Sequence, residues 1–260
     1  MNLHLLNHGG EMFTEIIAAV QRSATQLGHS ATHSASPRSS WINVYFVGHP
    51  GFIREFHPPR KSVNVLYNFE QSLPPGYEKF DAILSIFTHI QGPKIIAAPA
   101  GYAPTFETDL PAQEETIDVL HLGPLTESRK GEVGARYGHL IPAPSAFGRE
   151  RDGLLLQAQI NLIVKSLPVY HFPVLRFLLF ACKRRFVLTE AHDSYSTVDP
   201  KRHLTLSSGD LERDIRHWLA AGNEARQEIA DRVYEDLRAH CNYTTFLGPA
   251  LDALKRRFRA

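Results

Sequence analysis

Short apolar runs alternate with polar or glycine-containing turns along the first hundred residues. Five of these runs predict β-strands, because each is bounded by turn residues; they cover residues 2–7, 41–48, 62–70, 81–87 and 94–102. After the first run, Ile16, Ile17, Val20 and Ala24 recur at helical spacing and predict an amphipathic helix over 11–27 that stops at Gly28. The polar stretch 30–40 is predicted to be a loop.

Polar or glycine-containing loops follow four of the predicted strands. They are His8-Gly9-Gly10, His49-Pro50-Gly51, Glu70-Gln71 and Thr88-His89. Strands that alternate with helices or loops in this way are typical of an open, largely parallel sheet. Ligands of such sheets bind beyond the carboxyl ends of the strands. The sequence therefore predicts a ligand-binding edge that these loops form.

The alternation stops at a proline-rich, acidic stretch and then restarts. Residues 103–117 have no hydrophobic period and are predicted to be an interdomain linker. Beyond it, the pattern predicts strands at 118–123, 138–144 and 185–190, a helix-to-strand passage at 153–164, and helices at 173–182, 210–222, 223–241 and 243–258. The apolar stripes of the last three helices indicate core packing. The predicted domains are 1–110 and 118–242, with a last helix at 243–260.

Composition and charge exclude several classes of protein. Of the 260 residues, 43% are hydrophobic and 21% are charged, as in an ordinary globular protein. The 28 Lys and Arg residues nearly balance 27 Asp and Glu residues, so no global field favours nucleic acid or a membrane surface. We therefore expect no nucleic-acid partner.

Cysteine usage and hydropathy bear on the compartment. Cys182 and Cys241 have no CxxC partner, which favours a reduced interior over a disulfide framework. The most apolar window, at 154–188, is interrupted by Lys165 and Arg176 among other residues, so no integral membrane contact is expected. No basic stretch precedes an apolar core at the start of the sequence, so no signal peptide is expected. These features predict a cytoplasmic protein.

Three segments carry a resemblance to a known enzyme family. They are NHGGEMFTEIIAAVQRSATQLGH (7–29), INLIVKSLPVYHFPVLRFLLFACKRRFVLTE (160–190) and DLERDIRHWLAAGNEARQEIADRVYEDLRAHCNYTTFLGPALDAL (210–254). The first resembles the opening of family 4-like glycosyltransferases, and the second resembles their nucleotide-binding segment. The third is similar to the C-terminal helices of the CgeB-like branch, which is related to spore maturation proteins.

The resemblance implies an α/β protein of GT-B architecture, with two Rossmann-like domains and C-terminal helices. The last helix is expected to pack back on the N-terminal domain. The implied activity is transfer of a sugar from a nucleoside-diphosphate sugar, as in hexosyltransferases, to an unknown acceptor. The sugar nucleotide is then a substrate, and no cofactor is expected. No DxD motif follows a predicted strand, which agrees with a metal-independent site.

The His8-Gly9-Gly10 turn has two interpretations. Glycines without Cβ atoms let backbone N–H groups approach a phosphate or sugar, and a following helix N-terminus favours an anion. Gly9 and Gly10 are therefore candidate donor-binding residues, and His8 is a candidate base. The alternative is a tight strand-to-helix turn that binds no ligand.

Other candidate donor-binding residues lie in the second half of the chain. Arg176 stands in an apolar run, where an arginine must be paired or face a cavity; it can bind phosphate or form a structural ion pair. By resemblance, Glu190 would accept hydrogen bonds from the donor ribose, and otherwise it would cap a helix or pair with a nearby arginine. Asn161 is a candidate donor to the nucleobase and otherwise caps a strand end, and His171 is a candidate neighbour of the donor.

Two further groups complete the predicted site. By resemblance, Arg129 and Lys130 lie in a loop that approaches the diphosphate and would neutralise the leaving group; otherwise they are surface charges. Glu70 and His49 follow strand ends and are candidate catalytic residues on the acceptor side.

The chain also departs from the family in two respects. It is short for a GT-B enzyme, and a full E-x7-E pair of donor-site carboxylates is not evident; His171 to Arg176 stand where the first glutamate is expected. These departures favour an alternative, a non-catalytic binding or scaffold protein that retains the nucleotide-sugar cleft. A nucleotide-sugar epimerase is a third possibility. The sequence leaves the base, the sugar, the acceptor and the oligomeric state open.

Overall fold

The structure, a computed structural model, describes residues 1–47, 53, 55–59, 61–123, 140–141, 147–165 and 171–258. The chain forms two compact units: the first is Met1–Thr105 with Cys241–Ala260, and the second is Phe106–His240. Each unit contains one parallel sheet with helices. The predicted α/β class is therefore confirmed, while the exact domain boundaries given above stay predictions.

Eleven strands and seven α-helices are assigned within the described residues. The strands are β1 Asn2–Asn7, β2 Ser30–Ser34, β3 Ile42–Phe46, β4 Val63–Asn68, β5 Ala82–Ser85, β6 Ile95–Ala97, β7 Ile117–Leu122, β8 Leu140–Ile141, β9 Ala158–Ile163, β10 Val187–Thr189 and β11 Thr205–Leu206. The helices are α1 Thr14–Gln26, α2 Gly148–Gln157, α3 Val174–Ala181, α4 Pro200–His203, α5 Leu211–Ala220, α6 Gly222–His240 and α7 Tyr243–Phe258. A short 3₁₀ helix, Gly10–Phe13, precedes α1.

The first unit is built on a six-stranded sheet of order β2-β1-β3-β4-β5-β6, in which all neighbours run parallel. All five strands predicted in this region are confirmed, four of them shorter than predicted. Helix α1 buries Ile16, Ile17, Val20 and Ala24, as its spacing predicts. It ends before Gly28, whose φ of +79° suits glycine.

The loop predicted over residues 30–40 is wrong for its first part, because Ser30–Ser34 form the edge strand β2. Its sequence, SATHS, has no apolar alternation to reveal a strand. The strand is held instead by parallel pairing with β1 and by the fully buried imidazole of His4. That ring is hydrogen-bonded to the Thr32 and Ser34 hydroxyls, at 2.8 and 2.9 Å. Polar residues therefore suffice here, since the partner is an imidazole rather than an apolar core.

The second unit is built on a five-stranded parallel sheet of order β11-β10-β9-β7-β8. Ile160, Leu162 and Val164 form one core cluster with Phe186, Leu188 and other residues. The predicted stripe of α5 packs against this cluster; it comprises Leu211, Ile215, Trp218 and Leu219. The helix begins where the Asp210 carboxylate accepts a hydrogen bond from the Arg213 amide. The apolar stripe thus holds α5 on the sheet.

A buried pair of tyrosines ties α7 to the first sheet. The Tyr67 hydroxyl on β4 donates to the Ala98 carbonyl at 2.9 Å and lies 2.5 Å from the Tyr243 hydroxyl. Because a carbonyl only accepts, the Tyr67 proton is used there, and Tyr243 must donate to the Tyr67 oxygen. Nearby, a Cβ on Gly101 would lie 2.3 Å from the Cys241 carbonyl oxygen, so the chain segments pack too closely there for any side chain.

This chain of hydrogen bonds predicts unequal effects of two similar substitutions. Tyr243→Phe removes one donor and should lower the free energy of unfolding by about 1 kcal/mol. Tyr67→Phe leaves both the Tyr243 hydroxyl and the Ala98 carbonyl without this partner, and should cost about 2 kcal/mol or more. Urea unfolding of both variants measures the difference. Equal losses, or a larger loss for Tyr243→Phe, would contradict the assigned direction of donation.

Candidate functional site

The strand order of the first sheet creates a crevice at the end of β1. The chain passes from β1 to β2 on one side and then to β3 on the other. Connections that leave in opposite directions open a space beyond the carboxyl ends of the two central strands, where ligands of such sheets bind. Residues His8, Gly9 and Gly10 follow β1 directly. The structure therefore places this predicted turn at the switch point of the sheet.

The side chain of Asn7 closes this turn. Its Oδ1 accepts a hydrogen bond from the Gly9 amide at 3.0 Å, and its Nδ2 donates to the Gly10 carbonyl at 2.9 Å. Gly10 has a φ of +70° and open space where a Cβ would stand. The Gly9 amide is thus already used within the turn, and a contact to phosphate would require that bond to open. The donor-binding roles of Gly9 and Gly10 stay predictions.

His8 lies half-buried at the same switch point. Its ring stacks on Tyr45, with centroids 5.9 Å apart and an interplanar angle of 18°. Burial lowers the pKa of His8 below its ordinary value, so the imidazole is neutral at pH 7. A neutral imidazole can accept a proton, which is what the predicted role as a base requires. That role stays a prediction.

Two more strands of this sheet end in a polar residue that closes the following turn. Asn68 donates to the Glu70 carbonyl at 2.9 Å and accepts from the Glu70 amide at 3.3 Å. The Ser85 hydroxyl makes the equivalent pair of bonds to Phe87, both at 3.1 Å. The side chain of Glu70 is exposed beyond β4, at the same edge as His8. His49 lies outside the described residues.

In the second unit, β7 lies between β8 and β9, so its carboxyl end is the switch point. Arg176, in the first turn of α3, reaches this end. A Cβ built on Gly123, the residue after β7, would lie 2.4, 2.7 and 2.8 Å from Nη2, Cζ and Nη1 of Arg176. The guanidinium therefore occupies the space that a side chain at position 123 would need. Gly123 also has a φ of +138°, which further favours glycine.

Glu190 follows β10 at the same edge. Its carboxylate oxygen Oε2 accepts a hydrogen bond from the Lys165 amide, just after β9, at 2.8 Å. Its own amide donates to the Ile163 carbonyl at 3.1 Å. The half-buried carboxylate thus spans the ends of two neighbouring strands. The structure brings Glu190 and Arg176 to one edge of one sheet, as the prediction for donor binding requires.

The segment after Glu190 is tied to the start of α3. The predicted residue His171 lies 2.6 Å from the Ser194 hydroxyl through Nδ1. The buried ring of His192 donates from Nδ1 to the Glu190 carbonyl at 2.7 Å. Neither His192 nor Gly123 was among the residues predicted from the sequence. Gly123 is the last residue of the strand predicted at 118–123, and a glycine at that point was an available signal; His192 offered none.

Asn161 lies apart from these groups. It is fully buried within β9, where it pairs with Leu120 of β7 and Val187 of β10. Among the described residues, neither Oδ1 nor Nδ2 of its side chain has a hydrogen-bond partner. It stands two residues before the strand ends, so its contact to a nucleobase stays a prediction. Arg129 and Lys130 lie outside the described residues.

Metal-binding clusters and membrane-spanning helices are both absent from the described part of the chain. No group of three or more His, Cys, Asp or Glu side chains in the described part of the chain could hold a metal ion. No helix there is both long enough and apolar enough to cross a bilayer. Metal independence and location stay predictions.

No protein-family profile matches the chain, and no curated protein matches its sequence. Its structure, in contrast, is similar to solved glycosyltransferases. A glycosyltransferase from Rickettsia africae ESF-5 matches with a TM-score of 0.60 at 9% identity, over 99% of this chain and 98% of that one. An α-glucosyltransferase solved with UDP and a 13-mer DNA matches with a TM-score of 0.59 at 10% identity, over 98% of this chain and all of that one.

An α1,3-fucosyltransferase solved with GDP-fucose matches with a TM-score of 0.52 at 10% identity, over 100% of this chain and 90% of that one. At such low identity these likenesses establish the fold alone. The predicted membership of the family 4-like or CgeB-like branch stays a prediction. The protein has the GT-B fold of glycosyltransferases, an α/β fold with two Rossmann-like domains.

Proposed function

We propose that the protein is a glycosyltransferase that moves a sugar from a nucleoside-diphosphate sugar to an acceptor. The observation that carries this proposal is the edge of the second sheet. There a guanidinium lies on Gly123 at the switch point, and a carboxylate spans the ends of β9 and β10. A nucleoside diphosphate carries a partner for each of them: its anionic diphosphate for the guanidinium and its ribose diol for the carboxylate.

Arg176 and Glu190 would divide the recognition of the donor between them. The planar guanidinium of Arg176 suits two oxygens of a diphosphate at once. The carboxylate of Glu190 can accept hydrogen bonds from both ribose hydroxyls. A fixed cation beside the leaving diphosphate would stabilise the charge that develops as the glycosidic bond breaks, without an obligatory metal. His171 bonds to the Ser194 hydroxyl, in the segment that follows Glu190, and is a further candidate neighbour of the donor.

The first unit would supply the acceptor side. A neutral His8 at the switch point could take the proton of the attacking hydroxyl or amine as the bond to the sugar forms. Glu70 at the same edge, and His49, are the other candidates for this role. We assign a hexosyl donor and leave the acceptor open. We place the reaction in the cytoplasm, since neither of the two cysteines has a CxxC partner in the sequence.

The proposed activity predicts ligand-dependent stabilisation followed by turnover. UDP-, GDP- and ADP-sugars are added separately, and thermal shift and release of free nucleoside diphosphate are measured. We expect the sugar nucleotides of one base to raise the melting temperature of the protein. We expect the same sugar nucleotide to be turned over, with release of its nucleoside diphosphate. If a sugar nucleotide stabilises the protein but no nucleoside diphosphate is released with any class of acceptor, the non-catalytic binding protein is favoured. If no sugar nucleotide stabilises the protein, both the glycosyltransferase and the binding protein are contradicted.

A double-mutant cycle tests the contact between Gly123 and Arg176. Arg176→Gln removes the cation, and Gly123→Ala should displace it, because the new Cβ would overlap the guanidinium. Each variant should raise the Kd for the preferred nucleoside diphosphate about tenfold or more, since bonds to charged groups contribute about 1.5–3 kcal/mol. The double variant should be no weaker than the weaker single variant.

The exposed Arg184, which pairs with Asp231 and Glu235, offers a matched control. Arg184→Gln should leave the Kd unchanged. Additive losses in the double variant, or a normal Kd for Gly123→Ala, would show that the glycine does not act through Arg176. Circular dichroism checks that each variant is folded.

The role of Glu190 is tested through the sugar of the nucleotide. The protein should bind the preferred ribonucleoside diphosphate several-fold more tightly than its 2′,3′-dideoxy form. In Glu190→Gln this preference should fall towards one, because the neutral amide is a weaker partner for the diol. Isothermal titration gives both ratios, and exposed Glu235→Gln is the control. An unchanged preference in Glu190→Gln would place the ribose elsewhere.

A further inference from the structure

The backbone of Glu190 is held by more groups than its place at a strand end requires. Its carbonyl oxygen accepts two hydrogen bonds, from the Thr189 hydroxyl at 3.0 Å and from Nδ1 of His192 at 2.7 Å. Its amide and its carboxylate bind the end of β9, as described above. The bond from His192 is the one that comes from beyond the strand, and it fixes the direction in which the chain leaves β10.

The ring of His192 is itself clamped. It is 7% exposed and packs edge-on against Phe172, with centroids 5.2 Å apart and an angle of 81°. The Tyr195 ring lies 6.2 Å away at 71°, and the His192 amide donates to the Tyr195 hydroxyl at 2.8 Å. The aromatic neighbours thus confine the ring, and its bond to the Glu190 carbonyl turns Nδ1 towards that residue.

The protonation state of this ring follows from its surroundings. A carbonyl only accepts, so Nδ1 carries the hydrogen. Burial lowers the pKa of His192 to about 4, against the opposing effects of its bond to Glu190 and of the charges of Glu190 and Asp193. The charge of Lys165 lowers it further. The ring is therefore neutral at pH 7, a fixed donor on one side without a charge that would attract the Glu190 carboxylate inward.

We infer that His192 is a positioning residue for the donor site: its Nδ1–H holds the Glu190 main chain so that the carboxylate stays across the ends of β9 and β10. This inference rests on the proposed function, because it gives the carboxylate a ribose to bind. His192 itself touches neither donor nor acceptor. In this role it acts on the donor through Glu190.

Two replacements separate the hydrogen bond from the packing. Asparagine places an amide N–H where Nδ1 stands, so His192→Asn should keep the Kd for the preferred nucleoside diphosphate within about twofold of wild type. His192→Phe keeps an aromatic ring without the donor, and should raise that Kd about tenfold, which corresponds to about 1.4 kcal/mol. The exposed His217 on α5 provides the control, and His217→Asn should bind as wild type does.

Coupling to Glu190 distinguishes positioning from a structural role. If His192 acts through the carboxylate, Glu190→Gln with His192→Phe should bind no more weakly than Glu190→Gln alone. A lower melting temperature with an unchanged Kd for His192→Phe would overturn the inference and leave the proposed function intact. Wild type that binds neither UDP, GDP nor ADP would overturn both. Should His192→Phe fail to fold, His192→Met takes its place in the cycle.

The neutral ring also predicts a pH dependence of stability. The folded pKa of about 4 lies below the ordinary value of 6.5, so the contribution of His192 is complete above pH 6.5 and is lost as pH falls towards 4. His192→Asn cannot titrate and should lose less stability than wild type between pH 7 and 4.5 in urea unfolding. His4, His8 and His29, whose pKa values are also lowered, cancel in this comparison. Parallel pH profiles would contradict a buried, neutral His192.

Discussion

The structure depends on one constraint, which both sheets share: the first strand of each unit lies between its second and its third. The connections on the two sides of that strand therefore run in opposite directions, which opens a crevice at the carboxyl ends of the central pair of strands. In the first unit the residues that follow β1 lie at this position, and in the second unit the glycine that follows β7 does. Residues far apart in the sequence meet there because strand order, not sequence distance, determines their position.

Most of the fold could be predicted because the central strands are buried on both faces and read as apolar runs. The elements that were missed are polar or very short. Strand β2 is held by the His4 imidazole and by pairing at a sheet edge, and α4 with β11 spans only residues 200–206. Burial leaves a pattern in the sequence, whereas a polar partner supplied by a distant residue leaves none.

In the candidate site, too, some residues could be predicted from the sequence and others could not. His8, Arg176 and Glu190 could be found because each stands at a strand end or interrupts an apolar run. Gly123 and His192 matter through contacts that only the tertiary structure creates. Gly123 leaves room for the Arg176 guanidinium, and the His192 ring bonds to the Glu190 carbonyl. Asn161 shows the opposite case: a polar residue near a strand end, which the sequence marks, lies inside the sheet.

The first unit contains both ends of the described chain. The Tyr243 hydroxyl on α7 bonds to the Tyr67 hydroxyl on β4, which bonds in turn to the Ala98 carbonyl just after β6. A ribosome delivers the whole of the second unit before it delivers α7. The first sheet must therefore wait, with the face beside α1 uncovered, until about 135 intervening residues have been made. During synthesis the first unit should accordingly need chaperone protection until α7 emerges, whereas the sequence of the second unit is by then complete.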